Sequence, residues 1–272
     1  MTTTHHRFWD DAAYTKLYNF QTSKGLLQAI YDAFEGHRAA FQKYELLHGD
    51  ISASNVMIDS NGRGVLNDWD VSMSAKRPKA TSSVSLVRHD LNYRSGTWKF
   101  LSAGLLQDPH KRLTLQDEIE SFFYVLFYYA IKFLPHNLSA KEVEMILEKV
   151  FEKFWYDFVL RELTGGDDKH SMIIRRAYVR ELRFVGNEPL SEFIRQCLKY
   201  LAEYYRWQES VGEYDWSCER TRMTGVDYLS DTPVPGPLEK LKLATHECLR
   251  ALFESTLARE DWPNMPESSE LV

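Results

Sequence analysis

Four residues between Leu46 and Asp70 have types and spacing suited to chemistry on a phosphoryl group: His48, Asp50, Asn55 and Asp68, in the stretch LLHGDISASNVMIDSNGRGVLNDWD. NVMID and RGVLND are short β-like runs around Ser60-Asn61-Gly62, the strongest hairpin signal in the chain. A two-residue Asn61-Gly62 turn would set Asn55 directly opposite Asp68, with Cβ atoms about 4.5–5.5 Å apart. An amide oxygen and a carboxylate so placed can share one hard cation, and all-oxygen ligation suits Mg²⁺. Asp50, on the tight segment entering the first strand, would then lie near enough to accept a hydrogen bond from a hydroxyl beside that metal. One base and two metal ligands at one edge of a hairpin are what phosphoryl transfer asks of a protein, which mainly positions reactants and neutralises charge.

Those residues need elements to hold them. Leu26, Leu27, Ile30, Ala33, Phe34 and Phe41 recur at helical spacing, which predicts a helix from Ser23 to about Tyr44, with Ser23 as its N-cap. Beyond Ser102 four helical segments are expected: Gln116 to Phe133, Ala140 to Leu163, Leu190 to Trp207 and Leu238 to Arg259. An irregular stretch is expected from about Val211 to Pro237. FFYVLFYYAI, Phe122 to Ile131, is apolar all round, which implies a helix at the centre of a sizeable domain. It is about half the length a bilayer span needs. The aromatic run Phe151 to Phe158 reads as core packing on an amphipathic helix.

Bulk composition narrows the function classes. The chain has 272 residues, is 44% apolar, and carries 33 basic against 39 acidic residues for a net charge of −6. That is ample for a core, and it gives no global footprint for nucleic acid or an anionic membrane. Cys197, Cys218 and Cys248 are far apart, so neither a disulfide framework nor a zinc site is suggested, and a reducing cytosol or nucleus is expected. The first residues show no basic region followed by an apolar run, so no secretory signal is expected. No His-Glu-x-x-His or Gly-x-Ser-x-Gly is present, which argues against zinc and serine hydrolases.

The opening stretch resembles the catalytic and metal-binding loops of the protein-kinase superfamily, where His-Arg-Asp precedes an Asn at this spacing and Asp-Phe-Gly ends the next hairpin. HGD with DWD is also typical of the aminoglycoside and choline phosphotransferases, which act on small molecules. Two downstream stretches favour protein kinases. RSGTWKFLSAGLL, Arg94 to Leu106, is similar to the end of an activation segment, and DEIESFFYVLFYYA, Asp117 to Ala130, to the central kinase helix. Together with FEGHRAAFQKYELLHGDIS, the combination resembles the fungal-type protein kinase family.

The resemblance implies a mainly α fold with a small β-hairpin, equivalent to a protein-kinase C-terminal lobe without the N-lobe. Its expected layout is an N-terminal remnant over 1–22, the lobe over 23–260 and a tail over 261–272. It implies transfer of the ATP γ-phosphate to a protein Ser or Thr, with Asp50 as the catalytic Asp, His48 as the structural His, and Asn55 and Asp68 as ligands of Mg²⁺ and contacts of ATP. Arg94, Gly96 and Thr97 would belong to the activation segment, and Glu118 or Asp117 would accept the N–H groups of the catalytic loop. The partner would be a protein substrate or binding partner, with no nucleic acid and no membrane.

Departures from the family pattern qualify those expectations. No Gly-rich loop precedes the motif and no Val-Ala-x-Lys strand occurs, so the groups that neutralise ATP phosphates are missing and weak nucleotide binding is expected. Gly49 stands at the Arg of the motif, Ser52 at the Lys that touches the γ-phosphate, and Gly104 at the Glu of Ala-Pro-Glu, which removes an ion pair with a late helix. Thr81, Ser82, Ser83 and Ser85, among Lys76, Arg77, Lys79 and Arg88, read as a solvated loop or as phosphosites. A non-catalytic interaction module is the other reading of the same departures.

Overall fold

The computed structural model describes residues 14–76, 96–224 and 233–263. The central helix organises it. This helix, α3, runs Leu115–Phe133, and every residue from Phe122 to Ile131 except Tyr128 is buried. α1, Ser23–Tyr44, lies against it with Leu26, Leu27, Ile30, Ala33, Phe34 and His37 buried along one stripe. Phe34 meets Phe122 edge-on at 5.4 Å, and Phe253 of the last helix at the same centroid distance. Each such ring buried contributes about 1.5–3 kcal/mol. The N-cap of α1 is Thr22, whose hydroxyl accepts from Gly25 N–H at 3.0 Å, and not Ser23. Ser23 is buried instead and accepts from Asn187 Nδ2 at 2.7 Å.

The strands form small antiparallel sheets. β1 (Tyr14–Lys16), β3 (Val56–Asp59) and β4 (Gly64–Leu66) make a three-stranded sheet in the order β1-β3-β4, while β2 (Leu46–Leu47) pairs with β5 (Met73–Ser74). Leu17 and Phe20, just after β1, are buried in the same core as α1 and α3.

The register of the β3–β4 hairpin is one residue away from the expected one. Val56 pairs with Leu66 and Ile58 with Gly64, and Asp59 N–H donates to Arg63 O at 2.8 Å. Ser60-Asn61-Gly62 is therefore a three-residue loop with Gly62 at φ 77°, the left-handed position such loops reserve for glycine. Asn55 faces Asn67, whose N–H donates to the Asn55 carbonyl at 2.8 Å, and Asp68 lies one step beyond.

Three helical expectations are corrected. Only Ala140–Ile146 (α4) of the Ala140 to Leu163 segment is α-helical; a wide turn over Leu147–Glu152 follows, and then β6 (Phe154–Asp157) and β7 (Glu162–Gly165) form a hairpin. Phe151 is core, but Phe154, Tyr156, Phe158 and Val159 are exposed, so the aromatic run does not pack inward as expected. After α2 (Ala103–Gln107) and α5 (Asp167–Arg175), α6 spans Glu188–Thr224 and takes in much of the stretch read as irregular. The last helix, α7, covers only Glu247–Leu257. No helix among the described residues is long and apolar enough to cross a membrane. Arg94 and the Arg77 to Arg88 cluster lie outside the described residues.

Candidate functional site

His48 is fully buried and ties the two arms of the motif together. Its Nδ1 accepts from Asp50 N–H at 3.2 Å, so the proton sits on Nε2 and is donated to Asn67 O at 2.9 Å. Asn67 immediately precedes Asp68. The imidazole ring also packs edge-on to Trp69 at 4.6 Å. Burial is the main cause that pushes its pKa down, consistent with a neutral ring that must both accept and donate.

Asp50 is held at both carboxylate oxygens. Oδ1 accepts from Thr97 N–H at 2.7 Å and from Thr97 Oγ1 at 2.9 Å, across 47 residues of sequence. Oδ2 accepts from Asn55 Nδ2 at 3.1 Å, and the same amide donates to Asp50 O at 2.8 Å. Gly96 makes the approach of Thr97 possible: its φ is 109°, and a Cβ there would stand 2.9 Å from Gly49 O and 3.0 Å from a Leu101 methyl. Gly96→Ala is therefore expected to cost about 1–3 kcal/mol and to loosen the Thr97–Asp50 pair. Chemical denaturation compared with an Ala substitution at exposed Gly36, where a Cβ meets nothing, checks it.

The loop backbone is supported by α3. Glu118, 2% exposed, accepts from His48 N–H at 3.0 Å and Gly49 N–H at 2.6 Å, and also bonds His37 Nε2 at 2.5 Å. His37 Nδ1 in turn bonds His246 Nε2, at 2.9 Å, at the start of α7. Burial, helped by His37 and Arg38, pushes the His246 pKa down to about 3. Asp117 does a different job: it accepts from Ser102 Oγ at 2.6 Å and from Thr114 N–H at 2.9 Å, and pairs with Lys111.

The segment after Gly96 is anchored by groups that sequence reasoning passed over. Lys169, fully buried, donates to Lys99 O at 2.8 Å and Leu101 O at 2.5 Å, with its Nζ 4.0 Å from the Tyr124 ring centroid. Glu120 accepts from Ala103 N–H at 2.9 Å and from Tyr205 OH at 2.6 Å, while Tyr205 OH accepts from Gly104 N–H at 3.0 Å. Burial pushes Glu120 up to about 7 and Lys169 down to about 7. So where Gly104 provides no side chain to pair with a late helix, α6 reaches the same backbone through Tyr205. Ser52 is buried and bonded to Ser54 Oγ at 2.8 Å.

Among these residues one signal was available: His37 continues the Ile30, Phe34, Phe41 stripe of α1, so a histidine on that face had to be buried with a partner. Lys169 in GGDDKH carried no comparable signal.

Asp68 has φ 63° and ψ 67°, is exposed, and among the described residues its carboxylate takes no hydrogen bond. The Oδ1 of Asn55 is likewise open among them, since the amide's Nδ2 serves Asp50. No three His, Cys, Asp or Glu side chains gather as a metal group among the described residues. A carboxylate and an amide oxygen are the donor types Mg²⁺ takes, and that ion keeps several waters and draws further ligands from substrate phosphates. A non-glycine residue in the left-handed region costs about 1–3 kcal/mol, and such strain collects at functional sites.

The family model for fungal protein kinases matches residues 2–130, a span that contains Asp50, Asn55, Asp68, Thr97 and Glu118. No curated protein matches the chain.

Proposed function

We propose that this chain, whose residues 2–130 match the family model for fungal protein kinases, supplies the acceptor side of a protein kinase transferring the ATP γ-phosphate to a protein Ser or Thr. The observation that carries this reading is the double hydrogen bond from Thr97 to Asp50 Oδ1. It fixes the carboxylate's rotation and joins it to the segment Thr97 to Leu101, against which an acceptor hydroxyl would lie. Asp50 orients that hydroxyl and takes its proton as the oxygen attacks. Asn55 acts twice: its Nδ2 steadies Asp50 Oδ2, and its Oδ1 and the Asp68 carboxylate would hold Mg²⁺. When bound, Mg²⁺ neutralises charge on the phosphate oxygens. Within this reading residues 23–260 correspond to the C-terminal lobe; these 272 residues hold no Gly-rich loop ahead of the motif and no Val-Ala-x-Lys strand to neutralise ATP phosphates, so weak nucleotide binding by them alone is expected.

The test is thermal unfolding of the purified chain with Mg²⁺ and ATP. At about ten times Kd, binding linkage gives about 1.4 kcal/mol, or roughly 3 °C for a chain of this size. Asp68→Ala is expected to abolish the rise, and Asp50→Asn to keep it while abolishing phosphate transfer. An undiminished rise in Asp68→Ala contradicts the assignment of the metal ligands, and rapid ATP turnover by the chain alone contradicts the expected weak nucleotide binding.

A non-catalytic interaction module is the second reading, and one observation favours it. The β6–β7 hairpin exposes Phe154, Trp155, Tyr156, Phe158 and Val159 beside Trp98, whose ring lies 5.9 Å from that of Phe154. Apolar exposure concentrated on one hairpin is a feature of protein-binding surfaces. No nucleotide-dependent stabilisation at all would favour that reading.

A further inference from the structure

A second concave site lies away from the hairpin, between the segment that follows α5 and the first turns of α6. It encloses about 270 Å³. Its floor is apolar, built from Val179, Phe184, Ile194 and Leu198, all buried. Its rim is cationic: Arg176 and Arg180 stand on one wall, Arg195 and Lys199 on the other, spaced one helical turn apart along α6.

Little in the protein offsets these charges. Arg195 reaches Glu188 at 3.6 Å, with both side chains about half exposed, an arrangement worth little in water. Arg176 donates to Ile173 O and is crowded by the like charge of Arg206, with burial the larger cause pushing its pKa down. Arg180 and Lys199 are exposed and pair with no carboxylate among the described residues. Such a concentration in a chain of net charge −6 is local, since four arginines fall between Arg175 and Arg183.

We propose that this cleft docks an acidic segment of a partner protein, which seats an aromatic or aliphatic side chain on the Val179–Phe184–Leu198 floor and places carboxylates between the two cationic walls. Two facts select that chemistry. The apolar floor gives nothing to a simple anion and needs an apolar anchor, as the centre of an interface does. The floor is also concave and lies below its cations, so a flat layer of anionic headgroups would meet the rim and leave the floor wet. Charge on both walls supplies steering and register for a chain running between them.

The probe is the fluorescein-labelled peptide Glu-Asp-Glu-Phe-Leu-Glu-Asp-Glu, titrated with the full chain and followed by anisotropy. Saturable binding is expected, weakening as ionic strength rises. The double variant Arg180→Glu, Lys199→Glu changes only exposed side chains, and is expected to weaken binding by about tenfold or more at unchanged Tm. A peptide with Ser in place of Phe and Leu is expected to lose binding as well, which tests the floor separately from the rim. No saturable binding, equal binding by the double variant, or equal binding of the Ser peptide each overturns the proposal. So does preferential binding to phosphatidylserine vesicles, or a double-variant-sensitive dimer by sedimentation that excludes the peptide.

Discussion

Glu118→Ala is expected to remove about 3–5 kcal/mol of stability, the range for breaking a buried charged network by deleting one partner. The carboxylate serves three donors at once: His48 N–H at 3.0 Å, Gly49 N–H at 2.6 Å and His37 Nε2 at 2.5 Å. All three are inaccessible or nearly so to replacement water, since His37 and His48 are fully buried. An orphaned buried donor costs about 1–3 kcal/mol. Glu118→Gln is a sharper probe than Ala because it keeps volume and one acceptor oxygen but turns an amide N–H toward groups that already donate. It should recover part of the loss and no more. Urea denaturation of both variants, with Glu148→Ala as an exposed control within about 0.5 kcal/mol of the parent, decides the point. Full stability in Glu118→Ala would mean that the loop backbone is held by something other than α3.

Hydrogen exchange refines the same prediction. The amides of His48 and Gly49 should lose protection in Glu118→Gln well before those of Phe122 to Ile131, because only the former are bonded to the altered group. Asp50 would then lose the backbone that aims it, although its bonds to Thr97 remain. Glu118 is in this sense a positioning residue for the proposed chemistry and makes no contact with the acceptor.

How much of this was readable in advance depends on the range of the interactions involved. α1 and α3 follow from local periodicity, because their apolar residues recur at helical spacing and face one core. The hairpin was equally visible, but its register was not. That depends on whether the loop holds two residues or three, and Asn61-Gly62 is compatible with both until Gly62 is seen alone in the left-handed region. Phe154 to Leu163 misled for a different reason. Its aromatic and aliphatic residues carry strand propensity, and the rule that apolar means buried fails for a hairpin that exposes Phe158 and Val159. The reach of α6 past Trp207 was hidden because its later turns are too polar to show an apolar stripe. Least legible were pairings across distance. His37 and His246 are 209 residues apart, and Tyr205 and Glu120 are 85 apart. Neither pairing has a spacing that a linear pattern could reveal.

Acid should weaken the protein through His246. Its ordinary pKa is 6.5 and in the folded chain it is held at about 3, chiefly by burial and then by the charges of His37 and Arg38. Below about pH 6.5 the unfolded chain takes up a proton that the folded chain refuses until about pH 3. The unfolded state therefore binds more protons throughout that window, and the stability present above it is lost progressively as pH falls across it. At 1.36 kcal/mol for each pH step of separation, the full loss is on the order of 5 kcal/mol. The depressed pKa of His48 acts in the same direction. His246→Gln offers His37 Nδ1 a neutral partner that does not titrate, so it should cost about 1 kcal/mol at neutral pH and flatten the acid limb. Parallel stability profiles for parent and variant between pH 7 and pH 4 would rule this out. A protonated His246 stands against His37, and His37 stands against the Glu118 oxygen that also holds His48 N–H. Acid loosening of α7 should therefore reach the catalytic loop, and exchange protection at His48 and Gly49 should fall in the same pH window in the parent and not in His246→Gln.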